Sequence, residues 1–378
     1  MSDDSDQSAF DAAALAQSLA KDRGFALCGI ASAKASEYAE HLHDWLADGK
    51  HGEMHYLADH ADIRTDPGRL VEGAASVVVV ADAYHADTQH LKPNTQHPTG
   101  RVAKYAWGDD YHKVLKKRLH AVCNALEAQY PGHTYRATTD TAPIFERELA
   151  TRAGLGWTGK HTLMIHPRLG SYFLLGTIVT TLPMQTSELA GFPAPLSPPT
   201  DHCGACTRCI DACPTDAIAS EGYRVDARQC ISYLTLEHRS AIDERYHEPM
   251  GDWLAGCDIC QDVCPHNRRR SALAAEGDDP LEVHERYTPR DDAAGFDLLD
   301  ILNWTADDRQ RAFVGSALKR IKLDMMQRNA LIAAGNALRQ RDDAELRAKV
   351  MELAQADNLS PIVRDTARAV CQRLGCLP

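Results

Sequence analysis

The sequence predicts an α+β fold in three parts: a mixed N-terminal domain, a ferredoxin-like cysteine-rich module and an all-helical C-terminal end. Three observations carry this expectation. Strand-like and helix-like patterns alternate over about residues 10–185, eight of the twelve cysteines lie between Cys203 and Cys264, and the spacing is helical throughout from about residue 295. The chain of 378 residues has room for two or three domains of about 100–200 residues.

Composition narrows the class. Hydrophobic residues at 44% and charged residues at 25% exclude wholesale disorder. The longest apolar run, Ala75 to Ala81, is far shorter than the roughly 20 residues that span a bilayer. The acidic start, MSDDSDQSA, lacks the basic-then-apolar pattern of a signal peptide. A soluble, cytoplasmic protein with no membrane partner is expected. The net charge of −12 argues against polyanion binding over the whole surface but leaves room for a local basic patch.

In chain order, residues 1–9 read as a mobile terminus, and Phe10 to Lys21 as a helix with apolar residues at helical spacing. Gly24 to Ile30 follows as a short strand and Ala75 to Ala81 as a buried one. Tyr111 to Gln129 reads as a long amphipathic helix with a basic face at Lys113, Lys116, Lys117 and Arg118. Thr134 to Thr138 alternates as a strand that delivers Thr139-Asp140, and Ile144 to Ala153 is a helix stopped by Gly154 as its C-cap. Thr162 to Ile165 and Tyr172 to Thr181 complete a first domain over residues 10–185. A proline-rich linker at 186–200 opens a second domain over 186–275, and a third covers 295–378. In that third part, Met325 to Leu338 and Pro361 to Leu374 place small and apolar residues at three-to-four spacing, a HEAT-like pattern.

The cysteines carry the clearest chemistry. Cys203-x2-Cys206-x2-Cys209-x3-Cys213-Pro214 is the bacterial ferredoxin run for a [4Fe-4S] cluster, whose fourth cysteine serves the other cluster of a pair. Cys257-x2-Cys260-x3-Cys264-Pro265 supplies three more, and Cys230 upstream supplies the missing ligand. The expected sets are Cys203, Cys206, Cys209 and Cys264 for one cluster, and Cys213, Cys230, Cys257 and Cys260 for the other. Two zinc sites built from CxxC pairs are the alternative, and the Cys-Pro closures disfavour it. Two clusters form a path for single electrons, and such a path needs a terminus.

The segment Asp140-Thr-Ala-Pro-Ile-Phe-Glu146 through Gly154-Leu-Gly156-Trp-Thr-Gly159-Lys160 is the richest candidate for that terminus. A carboxylate at a strand end, ahead of a helix and a glycine-rich turn, is placed to donate a proton over a ligand pocket. The three glycines would allow close backbone approach to a ligand. The plainer reading of Asp140 is a helix N-cap.

These residues bear a family resemblance. Asp140-Thr-x-Pro, Glu146-Arg147, Arg152-Ala-Gly-Leu-Gly-Trp-x-Gly-Lys160, Tyr105-Ala-Trp-Gly-x-Asp-Tyr-His112, Cys230-Ile-Ser-Tyr-Leu-Thr-x-Glu237 and Gly256-Cys-Asp-Ile-Cys-Gln-Asp-Val-Cys-Pro-x-Asn267 occur in the order and spacing of the epoxyqueuosine reductase (QueG) family. The match runs over about residues 10–375, with Ala142 where the family usually has Gly. The resemblance implies an oxidoreductase that completes the tRNA nucleoside queuosine. It implies base-off cobalamin in the N-terminal domain, two [4Fe-4S] clusters that reduce it, and Asp140 as proton donor. Further implied cobalamin contacts are Arg64, Lys160, Ser232, Thr235, Cys257 and Asp258. Each has a plain alternative: a surface ion pair for Arg64, helix caps for Ser232 and Thr235, exposure beside Cys257 for Asp258. The histidine motif that often supplies a lower cobalt ligand is absent, and His112 reads as a hydrogen-bonded structural histidine rather than a metal ligand. The implied partners are the anticodon stem-loop of tRNAs decoding Asp, Asn, His and Tyr, and an electron donor such as flavodoxin or ferredoxin, with the protein a monomer.

Between Arg309 and Arg341 lie eight basic residues (Arg309, Arg311, Lys319, Arg320, Lys322, Arg328, Arg339, Arg341) and one acid, Asp324. Arg268-Arg269-Arg270 adds three more. Phosphate contacts give much of the affinity for nucleic acid, so this stretch, with Lys319, Arg320, Lys322 and Arg328 foremost, is the expected tRNA surface. The wobble base would have to be extruded from the loop to react. Two competing readings remain: another corrinoid and iron–sulfur reductase such as a reductive dehalogenase, and an electron carrier with an accessory domain.

Overall fold

The structure, a computed structural model, describes residues 2–84, 95–167, 169–187, 202–268, 283–290 and 295–376, without the side chains of residues 2–5. Most of the expected linker, and Arg269 and Arg270, lie outside the described residues. Nine strands are described: β1 (Leu27–Ser32), β2 (Ser76–Ala83), β3 (Thr99–Val102), β4 (Tyr135–Thr138), β5 (Trp157–Thr158), β6 (Met164–Ile165), β7 (Phe173–Thr180), β8 (Trp253–Ala255) and β9 (Gly295–Asp297). No described helix is long and apolar enough to cross a membrane.

The first sheet has the order β1-β2-β7-β4 and is antiparallel throughout. Its central strand β2 is buried on both faces, which is why the valine run does not alternate with polar residues. Val78 and Val80 enter a core with Ala12 and Ala16 of the helix Ser2–Asp22 and Leu115 and Leu119 of the helix Tyr111–Gln129. Val77 and Val79 enter the opposite core with Ile144, Leu149 and Leu155. Each fully buried valine contributes about 1.5–3 kcal/mol. Of the expected basic face, Arg118 turns inward to pair with buried Asp82 and to lie 4.0 Å over the Phe25 ring.

The N-terminal helix begins at Ser2, so the segment expected to be mobile is helical; Gln7 Nε2 donates to Asp11 Oδ1 at 2.8 Å, one turn on. The glycine-rich turn is closely packed against its own strand pair. Gly156, at φ 151°, lies so close to the Ile165 carbonyl that a Cβ would sit 2.1 Å from it. Gly159 is crowded by Ile165 and His161. Both glycines make room for the tight β5–β6 pairing.

The second sheet, β8-β3-β9, shows that the three sequence domains are not separate bodies. β3 comes from the first, β8 from the second and β9 from the third, with β3 parallel to β8 and antiparallel to β9. Behind it, Val102, Trp107, Leu236 and Leu254 share one core with Phe313, Met326 and Leu331. The C-terminal helices are Leu298–Asn303, Ala306–Ala312, Leu323–Leu338, Ala344–Gln355 and Pro361–Leu374. Pro361 opens the last of these, and left-handed Gly375 (φ 65°) closes it.

Candidate functional site

The site forms where β4 ends and the helix Tyr111–Gln129 begins. Thr138 Oγ1 pairs with Thr177 Oγ1 at 2.6 Å and Thr139 Oγ1 donates to the Leu175 carbonyl at 3.0 Å, pinning the chain to β7. Asp140 then takes a left-handed backbone (φ 52°), unusual for a residue with a Cβ. Its N–H donates to Glu146 Oε1 at 2.8 Å. Asp140 is not the expected alternative, a helix N-cap: the helix Glu146–Arg152 is preceded by Phe145 at that position, with no side-chain cap.

The Asp140 carboxylate is held by one oxygen. Tyr111 Oη donates to Oδ2 at 2.8 Å, and His112 Nε2 lies 3.1 Å from the same atom. The other His112 nitrogen, Nδ1, lies 2.8 Å from Asp110 Oδ1. Asp110 is the N-cap that starts the helix and also accepts the His112 N–H. Capping thus fixes the imidazole between two carboxylates. Oδ1 of Asp140 has no hydrogen bond among the described residues, and the side chain is 51% exposed.

Electrostatics follow from this packing. Burial works to raise the Asp140 carboxyl, but the bonds from His112 and Tyr111, with His112 and Arg320 nearby, hold it at about 2. Burial opposes a charge on His112, yet Asp140 and Asp110 together raise its pKa. Glu146 is pushed up to about 8 by burial, with the Asp140 charge adding to it. Sequence reasoning missed the parts played by Tyr111, Glu146 and Arg320. Tyr111 and Glu146 stood inside the quoted motifs, but nothing in their spacing showed that they would meet Asp140.

The eight cysteines of the module lie near enough to one another for their charges to interact. Burial and the thiols of Cys203, Cys264 and Cys206 push Cys209 up to about 11. Cys257, besides being buried, feels Cys230 and Cys213, and buried Cys260 feels Cys257 and Cys230. Cys260 also feels Cys209, across the two sets expected from the sequence. Soft thiolate donors in two sets of four fit iron–sulfur clusters. No three His, Cys, Asp or Glu side chains among the described residues converge as a single metal ion requires.

The residues implied as cobalamin contacts divide. Arg64 lies among Tyr56, Glu146, Asp140 and Arg147, and its buried Nε has no hydrogen-bond partner. Lys160 is turned away: Nζ donates to the Gly204 carbonyl at 2.6 Å and to the Cys206 carbonyl at 3.2 Å, bracing the first cysteine loop. Thr235 is buried, donating to the Ile231 carbonyl at 2.8 Å and accepting the Gly256 N–H at 2.9 Å. Asp258 is not exposed beside Cys257; it is 2% accessible, and Oδ2 accepts the Lys104 N–H at 2.8 Å. Ser232 lies in the first turn after Cys230, half-buried in the helix Ile231–Leu236.

The basic C-terminal stretch is less uniform than its sequence. Arg328 is 0% exposed, and its guanidinium donates to the carbonyls of Leu234, His238 and Ser240 at 2.7 Å each, so it cannot meet a phosphate. Arg309 donates to the Ile321 carbonyl, Arg311 pairs with Asp308, and Arg339 pairs with Glu248 at 2.8 Å. Arg320 pairs with Glu237 beside the Asp140 site. Lys319 and Lys322 are exposed, with no ion-pair partner among the described residues.

A carboxylate anchored at a strand end of an α+β body, in a chain that also carries an eight-cysteine ferredoxin-like segment, defines an iron–sulfur oxidoreductase. The 4Fe-4S double cluster binding domain matches residues 202–267, and the family described as epoxyqueuosine reductase QueG, DUF1730 matches residues 64–141. The chain belongs to the epoxyqueuosine reductase family: it is 40% identical over 329 residues to the epoxyqueuosine reductase of Xanthomonas campestris pv. campestris, covering 86% of this chain and 87% of the relative. It is 36% identical to that of Pseudomonas aeruginosa, covering 86% and 87%. Among solved structures, an epoxyqueuosine reductase with an epoxyqueuosine-modified tRNA-Tyr stem loop superposes with a TM-score of 0.82 at 27% identity, covering 96% of this chain and 91% of the other. The Streptococcus thermophilus enzyme gives 0.80 at 28%, covering 96% and 90%. A Bacillus subtilis structure, with its catalytic aspartate loop swung out of the active site, gives 0.82 at 26%, covering 96% and 91%.

Proposed function

We propose that this chain reduces epoxyqueuosine to queuosine at the wobble position of tRNAs decoding Asp, Asn, His and Tyr, with Asp140 passing a proton to the departing epoxide oxygen. The observation that carries the reading is the Asp140 carboxylate, anchored through Oδ2 by Tyr111 and His112 and open at Oδ1, in a chain of this family. The swung-out catalytic aspartate loop of the Bacillus subtilis relative supports Thr139–Phe145 as the reacting loop. The overall change is balanced: both C–O bonds of the epoxide break, two electrons and two protons enter, an alkene forms and the oxygen leaves as water.

A base-off corrinoid is the proposed cofactor, and two polar groups without partners among the described residues, the Arg64 Nε–H and Asp140 Oδ1, would be free to meet it. Ser232 is a further contact, whereas Lys160, Thr235 and Asp258 already spend their polar atoms within the protein. When bound, the corrinoid and two [4Fe-4S] clusters supply the low-valent metal and the electrons. Cys203, Cys206, Cys209 and Cys264 would hold one cluster, and Cys213, Cys230, Cys257 and Cys260 the other. A small low-potential carrier such as flavodoxin or ferredoxin would load them. The protein residues do the rest. Tyr111 and His112 orient Asp140, Glu146 fixes its backbone, and Arg320 adds positive charge. Lys319 and Lys322, on the HEAT-like helical end, would meet the phosphates of the anticodon stem, as the tRNA-bound relative supports. The protein acts as a cytoplasmic monomer in this reading.

The test is anaerobic incubation with epoxyqueuosine-containing tRNA, cobalamin and a low-potential reductant, followed by mass spectrometry of the nucleosides. Loss of one oxygen, dependent on cobalamin and abolished by Asp140→Asn with clusters and corrinoid retained, is expected. Conversion without cobalamin, or normal turnover by Asp140→Asn, would overturn the reading.

A further inference from the structure

An aspartate that is to give up a proton is built here to lack one. Its Oδ2 accepts two hydrogen bonds, from Tyr111 and from His112, and Arg320 faces it from the C-terminal part of the chain. The proton must therefore be stored next to Asp140, and one neighbour is built to store it. His112 stands between two carboxylate oxygens, Asp110 Oδ1 at 2.8 Å on Nδ1 and Asp140 Oδ2 at 3.1 Å on Nε2. That arrangement satisfies the doubly protonated imidazolium, whose two N–H groups both donate.

We propose that His112 is the proton reservoir of the site: the imidazolium holds the proton at rest and passes it from Nε2 to Asp140, which delivers it to the leaving oxygen. This inference rests on the proposed epoxide reduction and adds the origin of its proton. His112 is a positioning residue in this scheme, acting only through Asp140. The transfer balances. The Nε2–H bond breaks, an O–H bond forms on Asp140, and rotation of the carboxyl presents the proton on its exposed side. The imidazole left behind keeps its Nδ1–H on Asp110, so one tautomer is fixed in advance. Its side chain is 23% exposed, which allows the proton to be replaced from solvent. Tyr111 cannot take this part, because burial and the Asp140 charge hold its hydroxyl protonated far above its usual range. The groups facing the pair are Asp110, Tyr111, Tyr105 and Arg320 around His112, with Glu146, Arg64 and Arg147 on the Asp140 side and Glu237 neutralising Arg320. The net field on the histidine favours its charged form.

The test uses the full holoenzyme and two variants, His112→Asn and His112→Gln. Each should keep the cluster and corrinoid spectra and lower turnover about 10²–10⁴-fold near neutral pH, the usual range for a general acid. The shape of the pH profile is the discriminating readout. Wild-type turnover should fall on the alkaline side as His112 loses its proton. In both variants the fall should move toward acid, because Asp140 must then take its proton directly from water. A profile lowered uniformly at all pH values would reduce His112 to a structural part and overturn the proposal. Ring ¹⁵N resonances of the histidine-labelled chain read the store without turnover. His112 should titrate above the ordinary histidine range in the wild type and shift down in Asp140→Asn, and titration at or below that range in the wild type would overturn the proposal. If the wild type itself converts no epoxyqueuosine, the functional reading fails while the resonance result still decides on the reservoir.

Discussion

Glu146 Oε1 accepts the backbone N–H of Asp140 at 2.8 Å, and so holds the Asp140 loop in a conformation its sequence would not choose. Left-handed backbone at a residue with a Cβ stores on the order of 1–3 kcal/mol of strain. The side-chain hydrogen bond offsets part of that, and it survives in either protonation state of Glu146 because a carbonyl oxygen suffices.

That contact has a pH signature. Burial, with Asp140 close by, raises the Glu146 pKa in the fold to about 8 from 4.5. The fold therefore binds a proton that the unfolded chain releases, and its contribution to stability is complete below about 4.5 and lost as pH rises through about 8. Glu146→Gln keeps the acceptor and removes the charge. Thermal melts from pH 5 to 9 should show the variant gaining on the wild type as pH increases. Parallel curves would mean that Glu146 stays ionised in the fold.

Lys160 ties the first cysteine loop to the N-terminal part of the chain. Its ammonium donates to two carbonyls of the loop that carries Cys203 and Cys206, and its stem packs where a Cβ at Gly222 would clash. Lys160→Met keeps the stem and deletes the donor. The expected result is faster loss, in air, of the cluster held by the first cysteine set, read as iron and sulfide per chain. Corrinoid affinity should hold. Unchanged iron with weakened corrinoid binding would return Lys160 to the role its motif suggested.

Arg328 separates stability from RNA contact. Its charge is buried, which lowers its pKa to about 10, and three backbone carbonyls depend on it. Arg328→Met leaves those acceptors unpaired, and unsatisfied buried groups cost about 1–3 kcal/mol each. Denaturant unfolding should report a loss of several kcal/mol. Arg328→Lys should recover only part of it, since an ammonium cannot reproduce the planar fork. The slope of tRNA affinity against salt should not change in either variant that remains folded.

Much of this architecture was legible in order along the chain. The valine run of β2, the helix Tyr111–Gln129 and the last helix all follow from apolar periodicity, which is a local property. The double-cluster segment was legible because ferredoxin spacing is a local constraint as well. What escaped was non-local. β3, β8 and β9 are three or four residues long, too short for a pattern, and exist because they pair with one another across some 200 residues of chain. Composition counted Arg328 as surface charge, but only packing reveals that the helix Leu323–Leu338 turns it inward. At the site, Asp140 stood out by its motif. Its anchoring by Tyr111 and His112 required a helix N-terminus to meet a strand end.

The proposed tRNA surface would then be narrower than the run of eight basic residues suggested. Lys319 and Lys322 are exposed and unpaired among the described residues, whereas Arg339 already faces Glu248. A cation engaged by a carboxylate has less to offer a phosphate, and each phosphate contact contributes a slope of about 0.7–0.9 in log affinity against log salt. The double variant Lys319→Glu and Lys322→Glu should weaken binding of the anticodon stem-loop and reduce the magnitude of the slope by about 1–2. Arg339→Gln should leave the slope nearly where it was. Filter binding over a series of salt concentrations reads both numbers. A double variant with an unaltered slope would move the phosphate contacts off this face. A larger change for Arg339→Gln would mean that the Glu248 pair opens to receive the RNA.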